Sequence, residues 1–281
     1  MNFIRKPEWL RTKIYSEASF SEVSSVIKEH GLHTICSSGK CPNQSECWSK
    51  GTATLMIGGD ICTRRCKFCN TKSGMPLALD PNEPTNVAKS IQLMKLRHAV
   101  VTSVDRDDLA DGGAAHWAAT ISEIKRLNPD TTLEVLIPDF DGKMELVDMI
   151  INEKPNIISH NLETVRRLTP QIRTKAKYDT SLQVLAHIAS RGTVAKTGIM
   201  LGLGETEEEI LQLMDDALKT GCSILTIGQY MQPSRNNVPV TAYIHPDKFA
   251  EYKQIGLDKG FKRVESGPFV RSSYCAENHI D

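Results

Sequence analysis

From Thr52 onward, short apolar runs alternate with longer stretches in which apolar residues recur every three or four positions. Runs of strand length bounded by turn residues argue for strands, and the three-to-four spacing argues for amphipathic helices. The expected strands are Thr52 to Ile57, Ala99 to Ser103, Leu133 to Ile137, Ile157 to His160, Thr197 to Leu201 and Ile224 to Gln229. The clearest helical stripes are Val87/Ile91/Met94, Trp117/Ile121/Ile124, Leu182/Leu185/Ile188 and Ile210/Leu213/Ala217, and the last follows a Thr206 to Glu209 capping box. These stripes are expected to be core. Earlier in the chain, Ser19 and Glu22 have the same capping spacing before Val23, Val26 and Ile27, which predicts a short helix stopped at Gly31.

Strand and helix in strict alternation build β-α units on a parallel sheet, so the fold class is α/β. Six units suggest an incomplete parallel (β/α)6 barrel, with ligands on the loops after the strand C-termini. Those loops are polar: Gly58 to Cys62, Val104 to Gly113, Asn161 to Glu163 and Gly202 to Glu205. All are expected to face one rim.

With 281 residues and 40% hydrophobic content, the chain can bury a full core, and one barrel-sized domain with appendages fits. Lys plus Arg equals Asp plus Glu at 34 each, so no excess charge argues for nucleic acid or an anionic membrane as partner. Residues 1–15 hold no apolar run of signal-peptide or membrane-span length, and a cytoplasmic location is expected.

Cysteine placement changes the picture most. Six of eight cysteines fall between Cys36 and Cys69, as Cys36/Cys41/Cys47 (C-x4-C-x5-C) and Cys62/Cys66/Cys69 (C-x3-C-x2-C). In a reducing compartment such density argues for metal rather than disulfides. Zinc ribbons favour paired C-x2-C knuckles, of which only one is present here. Thiolates are the usual ligands of iron–sulfur clusters, and three of them leave one iron of a [4Fe–4S] cube open. An open position admits a substrate or cofactor. Cys222, after Gly221 at a strand start, reads instead as a small buried residue, and His98 and His160 as structural.

Cys62-Thr-Arg-Arg-Cys66-Lys-Phe-Cys69, with Phe68 as the aromatic, resembles the signature of radical S-adenosylmethionine (SAM) enzymes. The N-terminal triplet, together with Thr102 to Leu109, Gly202 to Thr206, Gly228 to Arg235 and Gly267 to Tyr274, resembles lipoyl synthases through nearly the whole chain. The resemblance implies a barrel of radical SAM type at 51–245, an N-terminal extension with the auxiliary cysteines at 1–50, and a closing C-terminal segment at 246–281. It also implies two [4Fe–4S] clusters. Cys62, Cys66 and Cys69 would hold the one that cleaves SAM to a 5′-deoxyadenosyl radical. Cys36, Cys41, Cys47 and Ser273, the second serine of Arg271-Ser-Ser-Tyr274, would hold the one that gives up sulfur.

By the same resemblance Asn161, Glu163 and Arg173 are polar contacts to SAM, and Asp111, Gly112 and Gly113 bring backbone N–H groups to it; without it, the glycines read as a plain turn. The implied substrate is an octanoyl group on a lysine of a lipoyl carrier protein (a lipoyl domain or a glycine cleavage H protein), with sulfur inserted at C6 and C8. Implied partners are an electron donor such as ferredoxin or flavodoxin and iron–sulfur assembly proteins. Two departures stand out: Cys275 where the family pattern has histidine, and Asn70-Thr-Lys72 where it opens with an acidic residue. Alternatives are another radical SAM sulfur-inserting enzyme resembling biotin synthase, and a non-catalytic electron-transfer protein with every ligand position filled.

Overall fold

All six expected strands form, displaced by at most three residues at an end, in a computed structural model that describes residues 5–11, 18–49, 52–274 and 276. The chain divides into two compact units, one of residues 12–65 and 70–158 and the other of residues 1–11, 66–69 and 159–281. The expected division by role at 50 and 245 is a separate partition.

The first unit opens with helix α1 (Ala18–Glu29), strand β1 (His33–Thr34) and short helices α2 (Ile35–Ser38) and α3 (Gln44–Ser49). Gly31 follows α1, and the Ser19 and Glu22 side chains of the expected capping box lie outside the described residues. Next come β2 (Thr54–Ile57), the paired short strands β3 (Ile61–Cys62) and β4 (Lys72–Ser73), α4 (Glu83–Leu93), β5 (His98–Ser103), α5 (Ala114–Leu127), β6 (Thr132–Leu136), α6 (Met144–Asn152) and β7 (Ile157–Ser159). β2, β5 and β6 pair in parallel, with Thr54 opposite Val100 and Val100 opposite Glu134, and β1 covers the edge of β2 antiparallel. Leu55, Ile57, Val101 and Val135 are almost wholly buried, as strands covered on both faces require. Trp117, Ile121 and Ile124 of α5 are buried too, each such side chain contributing about 1.5–3 kcal/mol.

The second unit carries α7 (Thr169–Ile172), α8 (Tyr178–Ser190), β8 (Val194–Leu201), α9 (Glu207–Lys219), β9 (Ile224–Gln229), α10 (Pro246–Lys259) and β10 (Arg263–Gly267). β8, β9 and β10 are parallel, with Lys196 and Arg263 both opposite Ile224. The α9 capping box forms as expected: Glu209 N–H donates to Thr206 Oγ1 at 3.3 Å and Thr206 N–H to Glu209 Oε2 at 2.9 Å. Two stripe positions, Met94 and Leu182, are only half-buried. Met94 is the residue that ends α4, where the packed face turns away.

β10 was not visible as a strand because Arg263-Val-Glu-Ser-Gly267 contains no apolar run. The open edge of β9 makes it one, a case of pairing overriding local propensity. Cys222 is buried, and burial pushes its thiol up to about 12. His98 shares a hydrogen bond with Thr132 and His160 one with Ser181, consistent with structural roles.

Candidate active site

In the first unit, the loop after β2 begins at a clamped peptide. Gly58 N–H donates to Glu83 Oε2 at 2.8 Å, and its carbonyl accepts from Arg106 Nη1 at 3.1 Å. His116 holds the same Glu83 oxygen at 2.5 Å. Beyond it, the Cys62 sulfur accepts from the backbone N–H groups of Arg64 at 3.4 Å and Asp105 at 3.3 Å. Asp105 Oδ2 also lies 3.5 Å from this sulfur, and N–H donors aimed at a cluster's sulfur ligands are a lever on cluster potential. The Cys62 carbonyl is held by Gly74 N–H at 3.0 Å, which closes the base of the loop.

Arg64 is buried within a cage of three carboxylates. It donates to both Asp107 oxygens at 2.9 Å and to Asp139 Oδ1 at 2.7 Å, and lies 3.3 Å from Asp105 Oδ1. Burial disfavours its charge, but Asp107, Asp105 and Asp139 more than offset that and hold the guanidinium protonated. Asp105 is pushed above the usual carboxylate range by burial; Arg64 opposes this, while Asp139 and Asp107 add to it. The sequence signal for this cage is Asp105-Arg-Asp-Asp108 after β5, part of the polar rim loop expected at Val104 to Gly113.

The N-terminal triplet also sits in the first unit, on a tight backbone knot. Cys41 N–H donates to Cys36 O at 2.9 Å, Gln44 N–H to Cys41 O at 3.2 Å, and Thr52 N–H to Cys47 O at 2.9 Å. Burial raises the Cys36 thiol, as does nearby Cys41, while Thr54 and the Trp48 indole pull it the other way. Asn70, the departure after Cys69, donates its side-chain amide to Ser38 O at 2.9 Å, between Cys36 and Cys41 in sequence. An acidic residue there has no donor for that carbonyl.

Asp111, Gly112 and Gly113 form the entrance to α5. Gly113 N–H donates to Asp111 Oδ1 at 3.0 Å, Ala115 N–H to Asp111 Oδ2 at 2.9 Å, and Gly112 N–H to Leu109 O at 3.0 Å. The Gly112 and Gly113 N–H groups thus make hydrogen bonds within the turn.

In the second unit, Cys66 and Cys69 belong to one turn, closed by Cys69 N–H to Cys66 O at 3.0 Å, with Phe68 half-buried between them. Asn161, Glu163 and Arg173 come together as expected. Asn161 Nδ2 donates to Glu163 Oε1 at 3.0 Å and to Ser272 Oγ at 2.7 Å. Arg173 Nη1 donates to Ser181 Oγ at 2.9 Å. Glu163 has φ of 67°, an uncommon region for a non-glycine residue, and β8 holds it there: Glu163 N–H donates to Gly198 O, and Met200 N–H to Glu163 O, both at 2.9 Å. Burial of its carboxyl raises its pKa, partly countered by Arg173 and by the Asn161 hydrogen bond.

Two buried polar atoms of this cluster, Asn161 Oδ1 and Arg173 Nε, have no hydrogen-bond partner among the described residues. Unpaired buried polar atoms are costly and are expected where a ligand completes the set. Crowding is severe beside them. A side chain at Gly198 would come within 2.5 Å of Thr226 Oγ1, 2.9 Å of Asn161 Oδ1 and 3.2 Å of Ser272 Oγ, so only glycine lets the C-terminal segment approach. Gly228 is equally constrained, since a Cβ there would meet Val270 O at 2.1 Å. Ser273 lies next to Ser272 in the turn closed by Tyr274 N–H to Arg271 O at 2.9 Å. Cys275 lies outside the described residues.

The seven described cysteines form no disulfide. Among the described residues no group of three or more His, Cys, Asp or Glu side chains is placed to hold a single metal ion. Thiolates are the usual ligands of iron–sulfur clusters, so the donor type of the two triplets suits such a cluster. No helix among the described residues is long and apolar enough to cross a membrane.

The Radical SAM superfamily model matches residues 56–217. Lipoyl synthase of Parabacteroides distasonis is 63% identical over 277 residues, covering 99% of both chains. That of Bacteroides thetaiotaomicron is 65% identical over 99% of this chain and 98% of its own, and that of Treponema denticola 60% over 98% and 95%. Among solved structures, Streptococcus suis SuiB bound to S-adenosylmethionine superposes with a TM-score of 0.60 at 11% identity, over 85% of this chain and 57% of that one. Methylornithine synthase (PylB) gives 0.57 at 12%, over 89% and 75%. These two structures establish the shared fold, and the near-full-length identities establish the branch within it. The chain belongs to the lipoyl synthase family of radical SAM enzymes.

Proposed function

We propose that this chain inserts sulfur at C6 and C8 of an octanoyl group carried on a lysine of a lipoyl carrier protein, a lipoyl domain or a glycine cleavage H protein, to form the lipoyl group. An unactivated C–H bond has neither an acidic proton nor a leaving group, so acid–base residues alone cannot functionalise it. Cys62, Cys66 and Cys69 would hold one [4Fe–4S] cluster with an iron left open to SAM, and Cys36, Cys41, Cys47 and Ser273 a second. When bound, these groups supply the electron that cleaves SAM and the sulfur that enters the product. Asn161 and Arg173 offer SAM a buried acceptor and a buried donor, and Glu163 accepts from its amino or ribose groups. That pair of unpartnered atoms beside Glu163 is the observation that carries the reading, because an electron-transfer protein would have no use for it.

Ferredoxin or flavodoxin is the class of reductant this chemistry needs, and iron–sulfur assembly proteins would rebuild a consumed cluster. Thiols at this density need a reducing compartment, which supports a cytoplasmic location. The test is anaerobic reconstitution followed by mass spectrometry of an octanoylated carrier domain treated with SAM and reductant. The octanoyl group is expected to become lipoyl, and absence of sulfur incorporation overturns the reading. Replacing Cys36, Cys41 and Cys47 with Ala is expected to remove about half of roughly eight irons and abolish sulfur transfer while SAM cleavage persists.

A further inference from the structure

The Cys66–Cys69 turn is closed by Cys69 N–H to Cys66 O at 3.0 Å, and further hydrogen bonds reach it from a distant stretch of chain. The Asn237 side-chain amide donates to Cys69 O at 2.8 Å and to Lys67 O at 3.2 Å. Val238 N–H donates to the same Lys67 carbonyl at 3.0 Å, and Lys67 N–H donates to Ile172 O at 2.8 Å. The carbonyls on either side of Phe68 are thus held by one nitrogen. Holding two carbonyls in this way requires an NH2 group, which asparagine has and aspartate lacks.

The amide is itself oriented. Ser234 Oγ donates to the amide oxygen Asn237 Oδ1 at 2.7 Å, while the Asn237 backbone is held by Gln232 Nε2 donating to its main-chain carbonyl at 2.8 Å and by its own N–H donating to Ser234 O at 3.1 Å. Rotating the amide by half a turn would set its oxygen against two carbonyls, so the observed orientation is the one that satisfies all partners. Gln232, Ser234 and Asn237 all follow β9, in and just beyond the stretch Gly228 to Arg235 that the function above leaves without a role.

We propose that Asn237 is a positioning residue for the radical SAM loop: by gripping the Lys67 and Cys69 carbonyls it fixes the turn that presents Cys66 and Cys69 to a cluster, and so sets how firmly that cluster is held. The inference rests on Cys62, Cys66 and Cys69 being the ligands. Partners one shell beyond metal ligands commonly change metal affinity by about 10–100-fold when removed. Asn237 touches neither sulfur, so its effect is on shape.

The experiment uses the reconstituted full-length protein with Cys36, Cys41 and Cys47 replaced by Ala, so that only one cluster is read. Iron release to a chelator and the electron paramagnetic resonance spectrum of the reduced cluster, with and without SAM, are compared for Asn237→Asp, Asn237→Leu and Ser234→Ala. Release about tenfold faster is expected for the two Asn237 variants, with a changed spectrum and an unchanged thermal midpoint for the metal-free protein. Ser234→Ala should move release in the same direction by less, and it carries the test alone if the Asn237 variants do not fold. Release and spectrum like the parent's overturn the proposal, as does faster release that merely tracks a lower metal-free midpoint. Cys66→Ala separates the two layers: if it keeps the cluster, the ligand assignment itself fails. If it loses the cluster while the Asn237 and Ser234 variants behave as the parent, only the positioning role fails.

Discussion

Arg64 in the first unit and Arg173 in the second are both buried cations beside carboxylates, yet their surroundings differ in kind. Arg64 faces three aspartates and donates to two of them at 2.7–2.9 Å. Arg173 faces one glutamate, donates to a serine and a backbone carbonyl, and keeps a buried Nε without a partner among the described residues. A buried polar network whose members are matched rigidifies its surroundings, while one with atoms left over is unstable until something completes it. The first arrangement therefore holds a loop in place, whereas the second leaves polar atoms over, which the SAM contact proposed above would complete.

The largest effect expected from this contrast is that of Arg64→Met. It leaves buried Asp139 without its cation, beside half-buried Asp105 and the more exposed Asp107, and breaking a buried ion pair by removing one partner costs about 3–5 kcal/mol. Urea unfolding of the metal-free protein should show a loss of that size, with amide exchange quickening at Thr63 and Asp105, whose backbones the cage holds together at 3.1 Å. A loss below about 1 kcal/mol would place Arg64 among ordinary surface ion pairs and erase the contrast.

The cysteine triplets stood out because residue type and spacing, on which metal ligation depends, are both displayed by a sequence. Asn161, Glu163 and Arg173 were singled out through the resemblance, and the fold gathers them into one cluster. The Arg64 cage was not singled out, although its aspartates were in view. Arg64 follows β2, Asp105 and Asp107 follow β5, and Asp139 follows β6; they meet because those three strands are successive neighbours in the sheet. Only the sheet order supplies that. Asn237 left still less trace, because it acts on backbone carbonyls, which are the same whatever side chains the loop carries. Gly112 and Gly113 show an ambiguity of another kind: a glycine pair at a rim is readable as a ligand loop or a turn, and in the fold Asp111 accepts from the Gly113 and Ala115 N–H groups at the start of α5.

Glu163→Gln sharpens the second half of the comparison, with an effect of intermediate size. Burial holds the Glu163 carboxyl above the ordinary carboxylate range, so the folded state binds its proton more tightly than the unfolded state does. The sign follows: at pH above the unfolded value the charged group is a net cost to folding, and below it the cost vanishes. Replacement by Gln is therefore expected to raise the thermal midpoint at neutral pH, with the gain shrinking as pH falls toward 4. SAM affinity should fall about tenfold, or about 1.4 kcal/mol, by titration calorimetry. A variant that gained stability and bound SAM as before would show that the strained glutamate serves the fold and not the ligand.

The smallest effect, and the cleanest control on the whole contrast, belongs to Asn70→Asp. Asn70 is a partnered polar group of a third kind, neutral and half-buried, whose amide meets Ser38 O at 2.9 Å. Aspartate keeps its size but turns the donor into an acceptor, so an oxygen faces the Ser38 carbonyl, at a cost of about 0.5–1.5 kcal/mol for the lost hydrogen bond. Because Ser38 lies between Cys36 and Cys41, the loosening should appear as faster chelation of iron from the N-terminal triplet, with SAM affinity and the Arg64 cage untouched. If iron leaves both triplets equally, Asn70 is a general support. If only the N-terminal triplet responds, the acidic residue of the family pattern and the asparagine found here are two ways of setting the same cluster's hold, and the hydrogen bond to Ser38 is what distinguishes them.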